Sequence, residues 1–387
     1  MKKGQEVFVG IDTAKTHNAV AVAESGRDGE VRYLGAFENT FEAVSKLVRK
    51  LAGRYEKLYF CYEAGPTGYG LYRQVLSLGH ACMVVAPSLI PRRSGDRVKT
   101  NRRDAQSLAR LLRAGELTAV WVPDETHEAV RDLVRTRAIA VEDYRRKRQH
   151  ITSFLLRHGR SFGGKTSWRG QHKRWLDGQR FAHPAQRLAF QEMMNAVQAA
   201  VERIDRLDAA LIEMVPGWTM APVVLAFQAM RGVQFMTAVT IVAEAGDLRR
   251  FDHPRQLMAF LGLVPSECST GETRRLGGIT KTGNSRARKA LVEAAWTYRH
   301  SAGTGVQHQQ RQKDLPPVVR DIAWKAQTRL CARFRRLTAK GKRNTVVVVA
   351  IAREIAAFLW AIAQHVAPQL RRRWRHEQHA DNHDVFD

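Results

Sequence analysis

The first 120 residues alternate short β-rich runs with helical spacing, and this alternation constrains the fold more than any other feature. Strands are predicted where β-branched and aromatic residues cluster, and helices where apolar residues recur every three or four positions. The predicted strands are 6–13, 19–23, 31–37, 58–62 and 81–86, and the predicted helices are 41–51 and 71–78. Three strands followed by helix, strand, helix and strand predict a mixed sheet with helices packed against it.

From about residue 124 the strand signal ends, and long charged helices are predicted at 126–158 and 184–214. Each has apolar residues spaced to form one seam, which favours an antiparallel, coiled-coil-like pair. The seam residues are Val130, Leu133, Val134 and Ile139 in the first helix, and Leu188, Met193, Val197, Val201, Ile204, Leu207, Leu211 and Met214 in the second. The intervening 159–180 is rich in Gly, Arg, Lys and Trp and is predicted to be a basic loop.

The predicted fold class is therefore α/β plus all-α. Its predicted segments are a sheet domain at 1–123, a helical coiled-coil-like region at 124–215, a helical domain at 216–370 and a basic, disordered tail at 371–387. Residues 230–246 suit a helix–hairpin–helix unit whose second helix could face a phosphate, and equally a plain helical turn.

The apolar run 346–360 is interrupted by Arg353 and Glu354, so it is predicted to be a buried helix and not a membrane span. The start of the chain has no apolar segment of signal-peptide length. The four cysteines are far apart, with no CxxC pair, which predicts buried free thiols and neither a zinc site nor a disulfide framework. These features predict a cytoplasmic protein.

The chain carries 63 Lys and Arg against 37 Asp and Glu, a net charge of +26. This surplus predicts a polyanionic partner, DNA or RNA, and argues against an enzyme of small cationic substrates. It concentrates in 145–180, which has eleven basic residues and one acid. Aromatic residues interleaved there would suit base or sugar stacking, namely Phe154, Phe162, Trp168 and Trp175. The predicted nucleic-acid contacts are Arg145, Arg146, Lys147, Arg148, Arg169, Lys173 and Arg174, and a solvated charged surface is the alternative.

Three acids stand beside predicted strands or at a helix start. Asp12 ends the first strand, Glu63 ends the fourth and Asp104 opens a helix. Strand ends in such sheets converge on one edge, and carboxylates meeting there would bind a hard cation such as Mg²⁺ for phosphoryl transfer. Taken singly, the three acids could also be a turn residue, a surface acid and a helix N-terminal charge.

Two adjacent hydroxyls, Ser269 and Thr270, follow an apolar segment and precede a basic stretch. A hydroxyl nucleophile near guanidinium groups suits attack on a phosphodiester, because the arginines would neutralise charge on the transferring phosphoryl group. The basic residues predicted to contact nucleic acid here are Arg274, Arg275, Lys281, Arg286 and Arg288. A plain polar turn is the alternative for the two hydroxyls.

Four segments carry a family resemblance that spans nearly the whole chain. They are VGIDTAK at 9–15, YEAGPTGYGLYRQVL at 62–76, VKTNRRDAQSLARLL at 98–112 and FLGLVPSECSTGETRRLGGITKTGNSRARKALVEAAW at 260–296. In this order they resemble insertion-sequence transposases with a RuvC-like, DEDD-type N-terminal domain and a C-terminal serine transposase domain, the bridge-RNA-guided recombinases. The resemblance implies a RuvC or ribonuclease H-like sheet, a helical linker and a helical transposase domain.

The resemblance also implies residue roles. Four acids would bind Mg²⁺; Asp12, Glu63 and Asp104 match three of them, and Asn101 stands where the third acid is expected. Asn can still offer a neutral oxygen but removes one negative charge, which nearby Asp96 could offset.

A catalytic serine directly before a glycine would form a covalent phosphoserine link to DNA. That position is Thr270 here, with Ser269 one residue earlier. Ser269 is favoured because a primary hydroxyl is less hindered, and Thr270 stays a candidate. Activation would come from the N-terminal acids and metal in a composite site.

The implied partners are donor and target DNA, a guide RNA encoded beside the gene, and further copies of the chain as a dimer or tetramer. The protein would associate with the nucleoid when it acts. Three alternatives use the same residues differently. They are a metal-dependent junction nuclease without a serine nucleophile, a nonenzymatic nucleic-acid-binding protein, and an actin-like sugar kinase or ATPase suggested by GIDTAK at 10–15.

Overall fold

The computed structural model describes residues 4–91, 100–164, 168–271 and 273–366. Within them the chain forms two compact units, 4–122 and 123–366. Asp96 and the predicted tail 371–387 lie outside the described residues. The further boundary predicted at 215/216 stays a prediction.

The first unit is built on a five-stranded mixed sheet. Its strands are β1 (Gly4–Asp12), β2 (His17–Glu24), β3 (Val31–Glu38), β4 (Tyr55–Glu63) and β5 (Ala81–Val85). The spatial order is β3-β2-β1-β4-β5, with β1, β2 and β3 antiparallel and β4 parallel to both β1 and β5. The mixed sheet predicted from the alternation of strand and helix signals is confirmed.

Three helices cover the two faces of this sheet. They are α1 (Phe41–Ala52), α2 (Gly70–Ser77) and α3 (Asn101–Arg113). Alternate strand residues point to opposite faces, so Val7, Val9 and Ile11 pack with α1 and α2. The opposite face is lined by small residues such as Ala21 and Cys61, and it carries α3. The small side chains let α3 approach the sheet closely.

The second unit begins with a long helical hairpin. Its helices are α4 (Glu125–Arg157), α5 (Gly170–Asp177) and α6 (Pro184–Met214). Arg137 pairs with Asp208, and Arg203 with Asp143 at 3.4 Å, so α4 and α6 run antiparallel. The seam predictions are wrong at three positions: Ile139, Leu188 and Met214 are at least half exposed. Helical spacing marks a face, but burial depends on what lies opposite it.

The segment between the long helices differs from the predicted basic loop because it contains α5. A separate small core forms around this helix, with Ile151, Phe154, Leu176 and Phe190 buried in it. Phe162, Trp168 and Trp175 surround the ring of His172, with ring centroids 4.8–5.5 Å apart. The aromatic residues proposed for stacking on bases therefore pack on each other and fold the segment.

The remainder of the second unit is mainly helical around one large core. Its elements are α7 (Ala221–Phe227), α8 (Phe235–Ala245), α9 (Pro254–Phe260), β6 (Pro265–Glu267), β7 (Leu276–Ile279), α10 (Ser285–Ala295), α11 (Val306–Gln312), α12 (Pro317–Ala339) and α13 (Asn344–Val366). Sequence spacing predicted helices alone, so the antiparallel β6–β7 hairpin is a correction. Val233 in the predicted phosphate-facing turn is fully buried, which favours the plain helical turn there.

By length and composition alone, α13 could cross a membrane, but half of its most apolar window is buried within the structure. Its core residues pack with α12, and Glu354 pairs with Arg329 and Arg333 of that helix at 2.7 and 2.6 Å. This is the environment of a core helix. All four cysteines are free, but Cys268 is exposed and Cys82 half-buried, so the prediction of buried thiols holds only for Cys61 and Cys331.

Candidate functional site

Two predicted acids occupy the ends of neighbouring parallel strands. Asp12 is the last residue of β1 and Glu63 the last of β4, and the residues before them, Ile11 and Tyr62, are register partners. Carboxyl ends of adjacent parallel strands lie at one edge of a sheet, where ligands bind in such folds. Both acids are half-buried. The structure therefore places these two carboxylates side by side along the edge.

The two acids also share a face of the sheet. Two residues earlier, Gly10 and Cys61 are register partners, and the Cys61 thiol donates to the Leu108 carbonyl of α3 at 3.6 Å. Because side chains alternate along a strand, Asp12 and Glu63 project to the face that α3 covers.

Helix α3 carries the other two predicted ligands. The Thr100 hydroxyl caps the helix by accepting from the Arg103 backbone N–H at 3.3 Å, so Asn101 and Asp104 lie in its first turn. They precede the buried Ala105 and Leu108 by one helical turn, which puts them on the sheet-facing stripe. Asp104 is half-buried and Asn101 is exposed.

Gly10 fixes the distance between α3 and β1. A Cβ at this position would lie 2.9 Å from the Leu108 Cβ and would collide with the backbone of Ala105 and Ala109. Only glycine permits this close approach of helix backbone to strand. This backbone packing fixes the position of the α3 segment that carries Asp104, next to Ala105, relative to the β1 segment that carries Asp12, two residues after Gly10.

The donor set suits Mg²⁺ by its chemistry, since three carboxylates and one amide offer only hard oxygen ligands. In the described part of the chain, however, no group of three or more His, Cys, Asp or Glu side chains is arranged to hold a metal ion. The four residues share one edge and one face of the sheet without forming a closed cage. The magnesium site stays a prediction.

Ser269 and Thr270 lie at the exposed tip of the hairpin formed by β6, β7 and the residues between them, called here the 265–279 hairpin. Cys268 N–H donates to the Arg275 carbonyl at 2.9 Å, and the backbones of Thr270 and Thr273 bond each other at 3.1 and 3.2 Å. Both hydroxyls are exposed. The hairpin thus presents the two candidate nucleophiles to solvent at its outer end.

Sequence reasoning missed Glu267, which contacts Ser269. The Ser269 hydroxyl donates to Glu267 Oε1 at 2.9 Å, and Arg274 Nε donates to the same oxygen at 3.0 Å. The hydrogen bond from Arg274 has the larger effect and that from Ser269 the smaller. Together they hold the pKa of the Glu267 carboxyl below its ordinary value. The signal was the spacing: residues two apart on an extended strand share a face.

The base of the hairpin is anchored in the core of the second unit. A Cβ on Gly283, whose φ is +68°, would collide with the Phe260 carbonyl. The Arg288 guanidinium donates to the Leu261 and Thr282 carbonyls at 2.7 and 2.8 Å. Arg288, which was predicted to contact nucleic acid, therefore donates hydrogen bonds that hold the chain at the base of the hairpin.

A buried carboxylate completes the anchor. Asn284 caps α10 and donates its side-chain amide to Glu244 at 2.7 Å, while Arg135 of α4 makes two 2.9 Å bonds to the same carboxylate. Burial raises the pKa of Glu244, but the hydrogen bonds from Arg135 and Asn284 outweigh it, so the pKa is lowered. The carboxylate stays ionised and ties α4, α8 and α10 together.

The other predicted contacts with nucleic acid lie on two surfaces. On the hairpin, α10 and the segment between them, Arg275, Lys281 and Arg286 are exposed, and Arg274 is 71% exposed while bound to Glu267. On and beside α4 and α5, some of the predicted contacts have partners within the protein.

Arg145 and Arg146 are exposed but pair with Glu142, and Arg148 stacks over the rings of Tyr144 and Trp168. Lys147 is half-buried, and Arg169, Lys173 and Arg174 are exposed.

Comparison with known proteins assigns the chain to a family. A DEDD transposase model of the IS110 family, described as Transposase, matches residues 9–159, and a model described as Transposase IS116/IS110/IS902 family matches residues 225–313. The chain is 58% identical over 360 residues to the putative transposase y4qE of Sinorhizobium fredii, which covers 93% of this chain and 89% of that protein. The chain belongs to the IS116/IS110/IS902 family of transposases.

A second relative extends the similarity to a full-length match. The transposase for insertion sequence element IS1533 of Leptospira borgpetersenii is 31% identical over 347 residues, which is 88% of this chain and 99% of that protein. The transposase is thus an enzyme of DNA transposition and recombination. The region matched at 9–159 contains all four predicted metal ligands, and the region matched at 225–313 contains Ser269 and Thr270.

Proposed function

We propose that this transposase is an RNA-guided DNA recombinase that cleaves and rejoins DNA through a covalent phosphoserine link made by Ser269. The observation that carries the proposal is the exposed Ser269 hydroxyl, hydrogen-bonded to a carboxylate, at the tip of a hairpin that also carries Arg274 and Arg275. A phosphodiester could reach this hydroxyl without opening the core. Guanidinium groups such as that of Arg274 would offset the charge on the transferring phosphoryl group.

Mg²⁺ is the proposed cofactor, with Asp12, Glu63, Asn101 and Asp104 as its ligands. Support comes from the shared edge and face of the sheet and from the hard oxygen donors, which a bound cation would draw together. When bound, Mg²⁺ would stabilise negative charge on phosphate oxygens. Asn101 supplies a neutral ligand in place of a fourth negative charge.

The proposed partners are donor DNA, target DNA and a guide RNA from the noncoding end of the element, bound by a dimer or tetramer of the chain. The net charge of +26 supports a large polyanionic surface. The proposed contacts are Arg145, Arg146, Lys147, Arg148, Arg169, Lys173, Arg174, Arg274, Arg275, Lys281, Arg286 and Arg288. Deleting the noncoding flank should abolish transposition, and supplying its transcript in trans should restore it.

Covalent capture on a DNA fragment carrying the element end tests the serine mechanism. With the flank transcript and Mg²⁺ present, the wild type should form a protein–DNA species that survives a denaturing gel. Ser269→Ala should not form it, whereas Thr270→Ala should. Cleavage that persists in a Ser269→Ala, Thr270→Ala double variant would reject the proposal and establish a metal-dependent nuclease.

A further inference from the structure

The strongest unassigned feature is the trio of Glu267, Ser269 and Arg274 on the 265–279 hairpin. Ser269 and Arg274 Nε both donate to Glu267 Oε1, at 2.9 and 3.0 Å, and Arg274 Nη2 lies 3.4 Å from Oε2. Glu267 stands at the end of β6, and Arg274 approaches it from the returning side of the hairpin. The hydroxyl therefore has a defined direction although it is exposed.

The trio distinguishes the two candidate nucleophiles. Ser269 is two residues from Glu267 on the same extended segment, so its hydroxyl reaches the carboxylate directly. Thr270 is held through its backbone by Thr273, and its hydroxyl has no hydrogen-bond partner within the described residues. The geometry thus orients one hydroxyl of the pair.

Arg274 controls how readily Glu267 accepts a proton. As long as Arg274 is bound to it, the pKa of Glu267 is held below its ordinary value, so the carboxylate is ionised at neutral pH but weakly basic. The Arg274 side chain is 71% exposed, so a ligand from solvent can reach its guanidinium group. A phosphate arriving at the hairpin tip would compete for the guanidinium, and each contact withdrawn from Glu267 increases its proton affinity.

We propose that Glu267 orients the Ser269 hydroxyl and takes its proton during attack on DNA, and that Arg274 positions Glu267 until the scissile phosphate arrives. This rests on the proposed serine mechanism. In the step, a bond forms between Ser269 Oγ and phosphorus, and the bond between phosphorus and the leaving deoxyribose oxygen breaks. The serine proton passes to Glu267, and the leaving oxygen takes its proton from solvent water, which reaches the exposed hairpin. Glu267 is thus a catalytic residue and Arg274 a positioning residue.

The test measures the initial rate of covalent complex formation on labelled element-end DNA with the flank transcript and Mg²⁺. Glu267→Gln keeps a hydrogen-bond acceptor and the size of the side chain but cannot take the proton, so the rate should fall at least about 100-fold. Glu267→Ala should fall at least as far. Arg274→Lys keeps the charge without the two-pronged contact, and it should lose less than Glu267→Gln.

Ser266→Ala is the matched control, because its hydroxyl bonds the Gly278 carbonyl at 3.1 Å across the same hairpin without contacting Glu267. It should react at the wild-type rate. The Glu267 variants must also bind the DNA as tightly as the wild type, because Glu267 is not among the proposed DNA contacts. A Glu267→Gln rate within about threefold of wild type overturns the proposal, since general base catalysis contributes far more.

The result separates this inference from the mechanism it rests on. If Ser269→Ala abolishes the covalent species and Glu267→Gln does not, the serine mechanism stands and the role of Glu267 is wrong. If Ser269→Ala still forms the species, the serine assignment itself fails. Loss in Glu267→Ala with retention in Glu267→Gln would show an orienting contact without proton transfer, which also overturns the proposal.

Discussion

The sheet edge and the 265–279 hairpin hold their chemical groups in opposite ways. Asp12 and Glu63 each follow a buried residue, Ile11 at 2% and Tyr62 at 0% exposure, on strands inside a five-stranded sheet. On the hairpin every residue from 266 to 271 is exposed. The core therefore positions the acids, whereas local hydrogen bonds position Ser269.

The sheet edge is therefore the more rigidly packed region, and the hairpin is the more accessible one. Backbone packing of α3 on β1 fixes the segments that carry the acids, which is what their proposed role in phosphoryl transfer would require. The described residues of the hairpin tip are exposed, and in the proposed complex their contacts with water would be exchanged for contacts with DNA. Its base, by contrast, is anchored through Glu244 and Arg288.

The largest expected effect tests whether the two regions serve one reaction. Asp12→Asn and Ser269→Ala should each lower transposition by about four orders of magnitude, and the double variant should be no worse, because groups acting as a unit are not additive. A two-plasmid assay that counts marker transfer in cells measures all three. Asp28→Asn, an exposed acid in the β2–β3 loop, should transpose normally. Single losses that multiply in the double variant would show two independent functions.

Much of the sheet was predictable because its strands are buried runs of β-forming residues. The predicted 58–62 and 81–86 lie within or almost within the observed β4 and β5, and Thr40 caps α1 close to the predicted helix start. Helix α5 was not predicted. It has only eight residues, too few to show a clear periodic pattern, and it packs on a small aromatic core. Short elements depend on tertiary contacts more than on spacing.

The candidate site divides in the same way. The positions of Asp12 and Glu63 at strand ends follow from the sequence, but their common face depends on the register of Gly10 with Cys61. The contact of Glu267 with Ser269 required knowing that 265–267 is extended. The contact of Arg274 with Glu267 depends on the β6–β7 hairpin, which brings the two residues together across the strands. The sequence predicted only helices in this region.

The next effect tests the anchor of the hairpin. Glu244→Ala removes a carboxylate whose side chain is 1% exposed and leaves Arg135 and Asn284 without their shared acceptor. The cost should be about 3–4 kcal/mol, near the lower end for a buried pair broken on one side, because Arg135 is 40% exposed and can be resolvated. Denaturant unfolding measures it. Glu293→Ala, which removes the exposed 3.9 Å pair with Lys289, should cost under about 0.5 kcal/mol.

A smaller effect tests the backbone packing at the sheet edge. Gly10→Ala places a methyl group against the backbone of α3, so we expect a loss of about 3 kcal/mol, the upper end for overpacking. Hydrogen exchange of the β1 amides reports the change within the first unit. Gly278→Ala on the hairpin meets no atom within 4 Å and should change stability by under about 0.5 kcal/mol. Equal losses at the two glycines would remove the contrast between the regions.

The smallest effect is a pH dependence of the stability of the second unit. This unit buries His127, which bonds the residue next to Glu244. Burial lowers the pKa of His127 to about 4, and the ring bonds the Ala243 carbonyl at 2.9 Å beside Arg131, with Asp124 and Arg250 also near. The unfolded chain binds a proton near pH 6.5, whereas the folded chain resists it until about pH 4. The contribution of neutral His127 to the stability of the folded chain is therefore fully present above pH 6.5 and is lost as the pH falls toward 4.

Between pH 7.5 and 5 this group alone should cost the second unit about 2 kcal/mol. Six of the eight tryptophans lie within 123–366, so fluorescence during denaturant unfolding mainly follows that unit. His127→Gln keeps a donor for the Ala243 carbonyl but cannot be protonated, and it should flatten the pH dependence by that amount. His150→Gln, at an exposed position on α4, should leave it unchanged. If His127→Gln and wild type lose stability in parallel, then other groups cause the acid sensitivity, and His127 is merely packed against Trp218.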